Sequence, residues 1–552
     1  MRGTHVWRNS VPHFAGALFL LLILPPVLTV LGAGFLESLR GTPGDAAAGL
    51  LRQLRLLQRP AIISSAWFSV YQAAISAVAS VILALPGAYL LAHLRFPGKR
   101  IVQSLTLLPF VLPSLIVVLA IISMYGRVGL LNQVFNTNIS LVYSPFGIIM
   151  AHVLFNISVA LRMISSGWRT VDTGLREVSR SLGETTRHRL LHLDLPMLMP
   201  SIISSLTVIF LYCFVSFGIV LIFGGVRYST LEVRIYQEMF QNLNLGGAAV
   251  LALFQIGIAG VIVFLLQRVL GHRARRRSGG FFARPWAQVS RPGRLLCSGY
   301  WLVIGLIFFS PLVTLIIRAF RPGGEWSISA FRALLGEGRI GDRDLHEVMQ
   351  ATMPQLAATS LGLAILSGLL CTILAYAAAR VLRGRRIPYL DTLLMLPLAI
   401  SSVTLSLGMR LLWSGILPPI PVIAITQAIM AFPMVFRILR AALDDFPLSY
   451  TEAAQSVGGG IWFRLYTLDI PVLHRGLLNG FVLAFALGLA DFTGVLTIGR
   501  GQIVTFPVAL YRLIGFQSYD AALALGVLYI LVVLAAFWAI DTTSYAREQE
   551  GL

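Results

Sequence analysis

Apolar stretches of about twenty residues or more recur along the whole chain, and no other feature constrains its fold as tightly. Inside a bilayer a segment must satisfy its own backbone polar groups, so stretches of this length cross as helices; a barrel strand needs only about ten residues. Twelve spans are expected, near 14–36, 62–92, 102–124, 142–165, 201–223, 248–267, 295–318, 355–380, 390–413, 420–438, 477–499 and 521–541. With 57% hydrophobic and only 12% charged residues, a soluble packing could not hide the apolar surface. The first run follows Arg2 and Arg8, as a signal peptide would, but it is longer than an h-region and has no A-x-A site, so it is expected to stay as a helix.

The formal charge of +20 is explained by topology. With the N-terminus in the cytoplasm, 28 of the 43 Lys and Arg residues fall on the cytoplasmic side, counting arginines at span ends. That excess follows the positive-inside rule and places both termini inside, in a multi-pass inner-membrane protein. The run HRARRR at 272–277 then belongs to a basic cytoplasmic linker, 271–294, which touches lipid and not nucleic acid. Six spans precede it and six follow. The expected organisation is a first six-helix repeat at 1–270 and a second at 295–552. An even number per half makes them parallel repeats. Between spans, 319–354 is mixed in charge and suits one or two short amphipathic helices outside. Cys213, Cys297 and Cys371 form no disulfide framework or metal cluster.

Two polar segments confirm the duplication at the level of residues. EVSRSLGETTRHRLLHLDLPML (177–198) and EAAQSVGGGIWFRLYTLDIPVL (452–473) align without a gap at an offset of 275 and share 9 of 22 positions. Glu177/Glu452, Gly183/Gly458, Arg189/Arg464, Asp194/Asp469 and Pro196/Pro471 are among them. The same offset pairs Arg162 with Arg437, Phe217 with Phe492 and Tyr236 with Tyr511; Ala88-Tyr89 matches Ala375-Tyr376 at a different one. Each segment reads as a short helix, a glycine turn, a second short helix and a proline opening the next span. Such a segment can transmit force from a soluble partner; the alternative is an amphipathic helix resting on headgroups.

The pattern Glu452-Ala453-Ala454, Gly458, Leu468, Ile470, Pro471 resembles the signature of permease subunits of binding-protein-dependent ABC importers. The first copy departs at Val178-Ser179 but keeps Glu177, Gly183, Leu193, Leu195 and Pro196. The resemblance covers nearly the whole chain. It implies an all-α membrane protein of the type I importer permease fold, fused from two repeats. It also implies that each segment fits a groove on one of two ATPase subunits, with a secreted solute-binding protein delivering a small molecule from outside. ATP and Mg would sit on the partner, because the lone Lys99 follows Gly98 but has His93 where a P-loop needs its first glycine. This chain is then expected to be a transport subunit, not an enzyme, with no cofactor of its own.

Segments at 124–132, 144–156, 213–237 and 489–511 look similar to thiamine permeases, with ferric-iron permeases second. An ion-coupled secondary transporter would also have six plus six spans, but it calls for several intramembrane ionisable groups and no paired coupling segments. Asp491 is the one acidic residue well inside an expected span, beside Phe492; Ser216 and Phe217 are their counterparts. Two kinds of reading stand for Asp491: a greeting point for a cationic substrate, with Phe217 and Phe492 offering ring faces, or a structural group, either an interhelical polar clasp or a cap at a helix break near Gly494.

Overall fold

The computed structural model describes residues 53–106, 112–138, 141–169, 181–225, 227–270, 284–337, 344–383, 400–413, 415–444 and 465–545, with single residues or short pieces within 24–32, 171–179, 390–397 and at 463. Two compact units result, one from 54–237 and 251–318, the other from 1–53, 238–250 and 319–552. Nine helices among the described residues are long and apolar enough to cross a membrane, and shorter apolar helices accompany them. The only strand pairing described is a two-residue parallel bridge, Leu94–Arg95 with Arg284–Pro285.

The 54–237/251–318 unit contains α1 (Pro60–His93), α2 (Lys99–Leu105), α3 (Ser114–Tyr125), α4 (Pro145–Arg169), α5 (Leu195–Phe214) and α6 (Gly218–Phe223). Most of α7 (Leu231–Phe240), α8 (Leu245–Leu270) and α9 (Arg291–Ala319) belongs to it too. Pro60 sits in the first turn of α1, where its missing N–H is no loss. Ser65, Ser69, Ala73, Ser76, Ser80, Ala84 and Gly87 then recur at helical spacing and are buried, forming a seam of small residues along which α4 and α5 approach closely. At Gly87 the seam admits α9: Tyr300 donates to the Leu83 carbonyl at 2.8 Å, and a Cβ on Gly87 would lie 2.5 Å from that hydroxyl.

The other unit contains α10 (Met353–Val381), α11 (Ser402–Trp413), α12 (Pro419–Asp444), α13 (Ile470–Ala490), α14 (Thr493–Gly499), α15 (Phe506–Gly515) and α16 (Tyr519–Tyr545). A capping box between Thr352 and Gln355 starts α10. Helices α10, α12 and α13 pack together as α1, α4 and α5 do. Short helices at Ser329–Leu334 and Leu345–Met349 occupy the 319–354 stretch, each burying apolar residues, and the first lies on α16. A helical piece within 24–32 lies against α11, where a Cβ on Gly408 would collide with the Pro26 carbonyl.

Several expected spans are divided or shifted. The 102–124 run separates into α2 and α3, with Pro113 opening the second. The 201–223 run starts earlier, at Leu195, and breaks after Phe214. The 477–499 run starts at Ile470 and breaks at Asp491–Phe492. Pro196 and Pro471 lie in the first turns of α5 and α13, where proline suits a helix start. Most of the first expected span and the run at 272–277 fall outside the described residues.

Candidate coupling segments and helix breaks

Glu177, Glu452, Ala453, Ala454 and Gly458 lie outside the described residues; Gly183, Pro196 and Pro471 lie within them. Gly183 turns the first segment with φ +78°, and among the described residues, its chain neighbours aside, no atom stands within 4 Å of where its Cβ would be. It is therefore an open turn that needs left-handed backbone rather than room. Around it, Leu182 N–H bonds Val178 O at 3.0 Å and Glu184 N–H bonds Ser179 O at 3.2 Å. The Ser179 hydroxyl donates to Glu184 at 2.5 Å, and His188 stands 3.4 Å from the same carboxylate. The Ser179 hydrogen bond, and after it the nearby His188, hold the Glu184 carboxyl below its ordinary pKa. Leu182 is 77% exposed at the tip.

Both segments then enter their helices through the same irregular turn. Leu190–Asp194 and Leu465–Asp469 are π-helical, five residues each and 275 apart. Single π turns inside α-helices cost regularity and concentrate at functional sites. Each ends on a buried aspartate, Asp194 or Asp469. Asp469 is clamped from α10: Arg380 Nη1 lies 2.9 Å from its Oδ1, and Tyr376 donates to Oδ2 at 2.5 Å. At the matching positions of the first repeat, Tyr89 and His93 stack at 4.2 Å, and both meet the Trp168 ring edge-on.

The helix breaks are also duplicated. Phe217 packs on Tyr236 at 5.0 Å and 56°, and Phe492 packs on Tyr511 at 5.1 Å and 50°. After each break, the first N–H of the following ten-residue helix is bound by a buried serine. Leu231 N–H donates to Ser69 at 2.8 Å, and Phe506 N–H to Ser360 at 3.0 Å. Asp491 caps α14 by accepting from Gly494 N–H at 3.0 Å, and Gln427 of α12 donates to its other oxygen at 3.1 Å. Phe217 and Phe492 are each 3% exposed, so their rings face tyrosine and core. Asp491 and Phe492 thus sit together in one unit, Ser216 and Phe217 in the other.

Sequence reasoning missed Gln427, Arg380 and Tyr376, although the matches of Asp194 with Asp469 and of Tyr89 with Tyr376 pointed towards the clamp. It also looked for carboxylates only inside the expected spans, and so passed over three that are buried outside them. Glu232 in α7 is fully buried and accepts from Gln255 at 2.8 Å; Asp194 and Asp469 are buried as well. These carboxylates lie in short or irregular helices that give no span signal.

The chain matches the family described as binding-protein-dependent transport system inner membrane component over residues 84–276, a range that contains the first of the two duplicated polar segments. It is 30% identical over 487 residues to the thiamine transport system permease protein of Escherichia coli (strain K12), covering 85% of this chain and 86% of that protein. The thiamine transport system permease protein of Brucella suis is 28% identical over 503 residues, 88% of each chain. An Fe(3+)-transport system permease protein of Haemophilus influenzae is 26% identical over 489 residues, 88% of this chain and 90% of that one.

Proposed function

Because the chain belongs to the binding-protein-dependent transport permeases, we propose that it is the membrane-spanning subunit of an ATP-driven importer whose cargo is thiamine or a thiamine phosphate. The observation that carries the cargo is the similarity to a thiamine permease across 85% of the chain, through both repeats. The two segments dock on two copies of an ATPase, which binds the ATP and Mg. Glu177 and Glu452 supply charge there, Gly183 and Gly458 the turn, and Ala453 and Ala454 a close-packing surface. Pro196 and Pro471 start the helices that carry the motion inward. A solute-binding protein delivers cargo from the opposite side, and both termini are cytoplasmic. A cationic cargo meets the carboxylate of Asp491, whose counterpart, Ser216, is neutral. The second cargo, ferric iron, has the 26% identical relative in its favour.

The test is uptake by the reconstituted complex of this chain, its ATPase and its binding protein. ATP-dependent accumulation of labelled thiamine, with ferric ion excluded, is the expected result. Ferric uptake with thiamine excluded would replace the cargo, and uptake driven by an ion gradient without ATP would replace the class.

A further inference from the structure

A cavity of about 590 Å³ opens at the start of α1, between its first turns and the 227–234 stretch. The other end of α1 is occupied by the coupling segment, since Tyr89 and Leu90 share a cavity with Leu190 and Leu195. The α1 residues that line the two, 61–71 and 85–90, are centred roughly 20 residues apart on the helix, about 30 Å. On the reading that the coupling segments are cytoplasmic, the cavity faces outward.

Its polar lining is cationic. Arg227 is exposed and lies 5.5 Å from the centre of the Tyr228 ring. Arg234 is half-buried and pre-oriented: its Nε donates to Ser65 Oγ at 3.1 Å and its Nη1 to Gln237 Oε1 at 3.1 Å. Neither guanidinium meets a carboxylate among the described residues. Ser64 and Ser229 add hydroxyls, and Trp67, 71% exposed, forms an aromatic wall. Positions 275 further on hold Gln502 and Ala509, so the paired arginines belong to one repeat alone and are not part of the duplicated packing.

We propose that this cavity binds a phosphate group. Two guanidiniums and several hydroxyls supply more donors than a carboxylate's two oxygens can accept, and the guanidinium fork matches phosphate oxygens in pairs. The group can come from a phospholipid headgroup, with Trp67 at the membrane interface, or from a soluble phosphate ester whose ring lies on the aromatic wall.

The test uses the full chain in dodecyl maltoside, a detergent that carries no phosphate, with two probes. Native mass spectrometry follows retention of added phosphatidylglycerol, and Trp67 fluorescence, against a W67F blank, follows phenyl phosphate. Binding should weaken about tenfold or more in R227Q/R234Q, as expected for losing two charge-assisted contacts. R227Q alone, at an exposed residue that leaves packing intact, should already weaken it. R55Q, an exposed arginine at the same end, should not. Retention of phosphatidylglycerol identifies the lipid source, and binding of phenyl phosphate the soluble one. The proposal is overturned if neither probe binds, if R227Q/R234Q binds as well as the parent, if R55Q loses as much, or if benzoate binds as tightly as phenyl phosphate. None of these readouts depends on transport, so failure here leaves the importer reading untouched.

Discussion

Replacing Arg380 with methionine removes the cation from a carboxylate that is only 3% exposed, just before Pro471. Stranding one charge of a buried pair costs about 3–5 kcal/mol. Arg380 is itself 21% exposed, so water reaches the pair. The Tyr376 hydroxyl also remains on Asp469. We therefore expect R380M to lose less than that range, about 2–3 kcal/mol. Asp469→Leu alone leaves Arg380 with a route to solvent and should lose less, about 1–2 kcal/mol. The double variant removes both charges. If the pair is a true clamp, the double variant is more stable than the sum of the singles implies, by about 1 kcal/mol or more. The assay is unfolding of the purified chain in mixed detergent and denaturant, run as a double-mutant cycle, with uptake per assembled complex measured alongside. Recovered stability with lost uptake would make the clamp a mechanical link between α10 and the coupling segment. Additivity within about 0.5 kcal/mol would show that the two side chains do not interact, and would refute the reasoning.

Gly183→Val should cost about 1–2 kcal/mol locally, because a β-branched residue resists φ +78°, while Gly183→Asn should be milder. Hydrogen exchange across 178–184 and association with the ATPase check it, and unchanged exchange in Gly183→Val would sink the turn argument. Asp491→Asn keeps the shape but places an amide where Gly494 N–H and Gln427 both donate, so a loss of about 1–2 kcal/mol is expected. If Asp491 also serves a cationic cargo, uptake per folded complex falls further than the melting shift explains; equal falls confine it to capping.

The spans were legible because hydrophobic length is a local property, readable window by window. The first helix break was not, and the second entered only as one alternative for Asp491, a cap near Gly494. Val215–Phe217 and Asp491–Phe492 carry neither proline nor glycine, and each sits inside a run apolar enough to read as continuous. The only local hint was a polar residue, Ser216 or Asp491, at the same register in both copies. The turn at Gly183 was legible because glycine after a helix-forming stretch has few other uses. The partners of Asp469 were not, since Tyr376 and Arg380 lie 93 and 89 residues away in sequence and only packing brings them together. Glu232 was passed over because α7 is ten residues long and carries charges, so no hydropathy window marks it.

Tyr300 against Gly87 also sets an order of manufacture. The unit that begins at Leu54 is finished only by α9, which is translated after the basic stretch at 272–277. While the ribosome is still making that stretch, the earlier helices are already in the bilayer with the groove at Gly87 unfilled and the Leu83 carbonyl without its tyrosine. The nascent chain must therefore hold a half-built bundle together in lipid until residue 300 arrives. A gene split at the linker would make two polypeptides, neither of which encodes all of that unit.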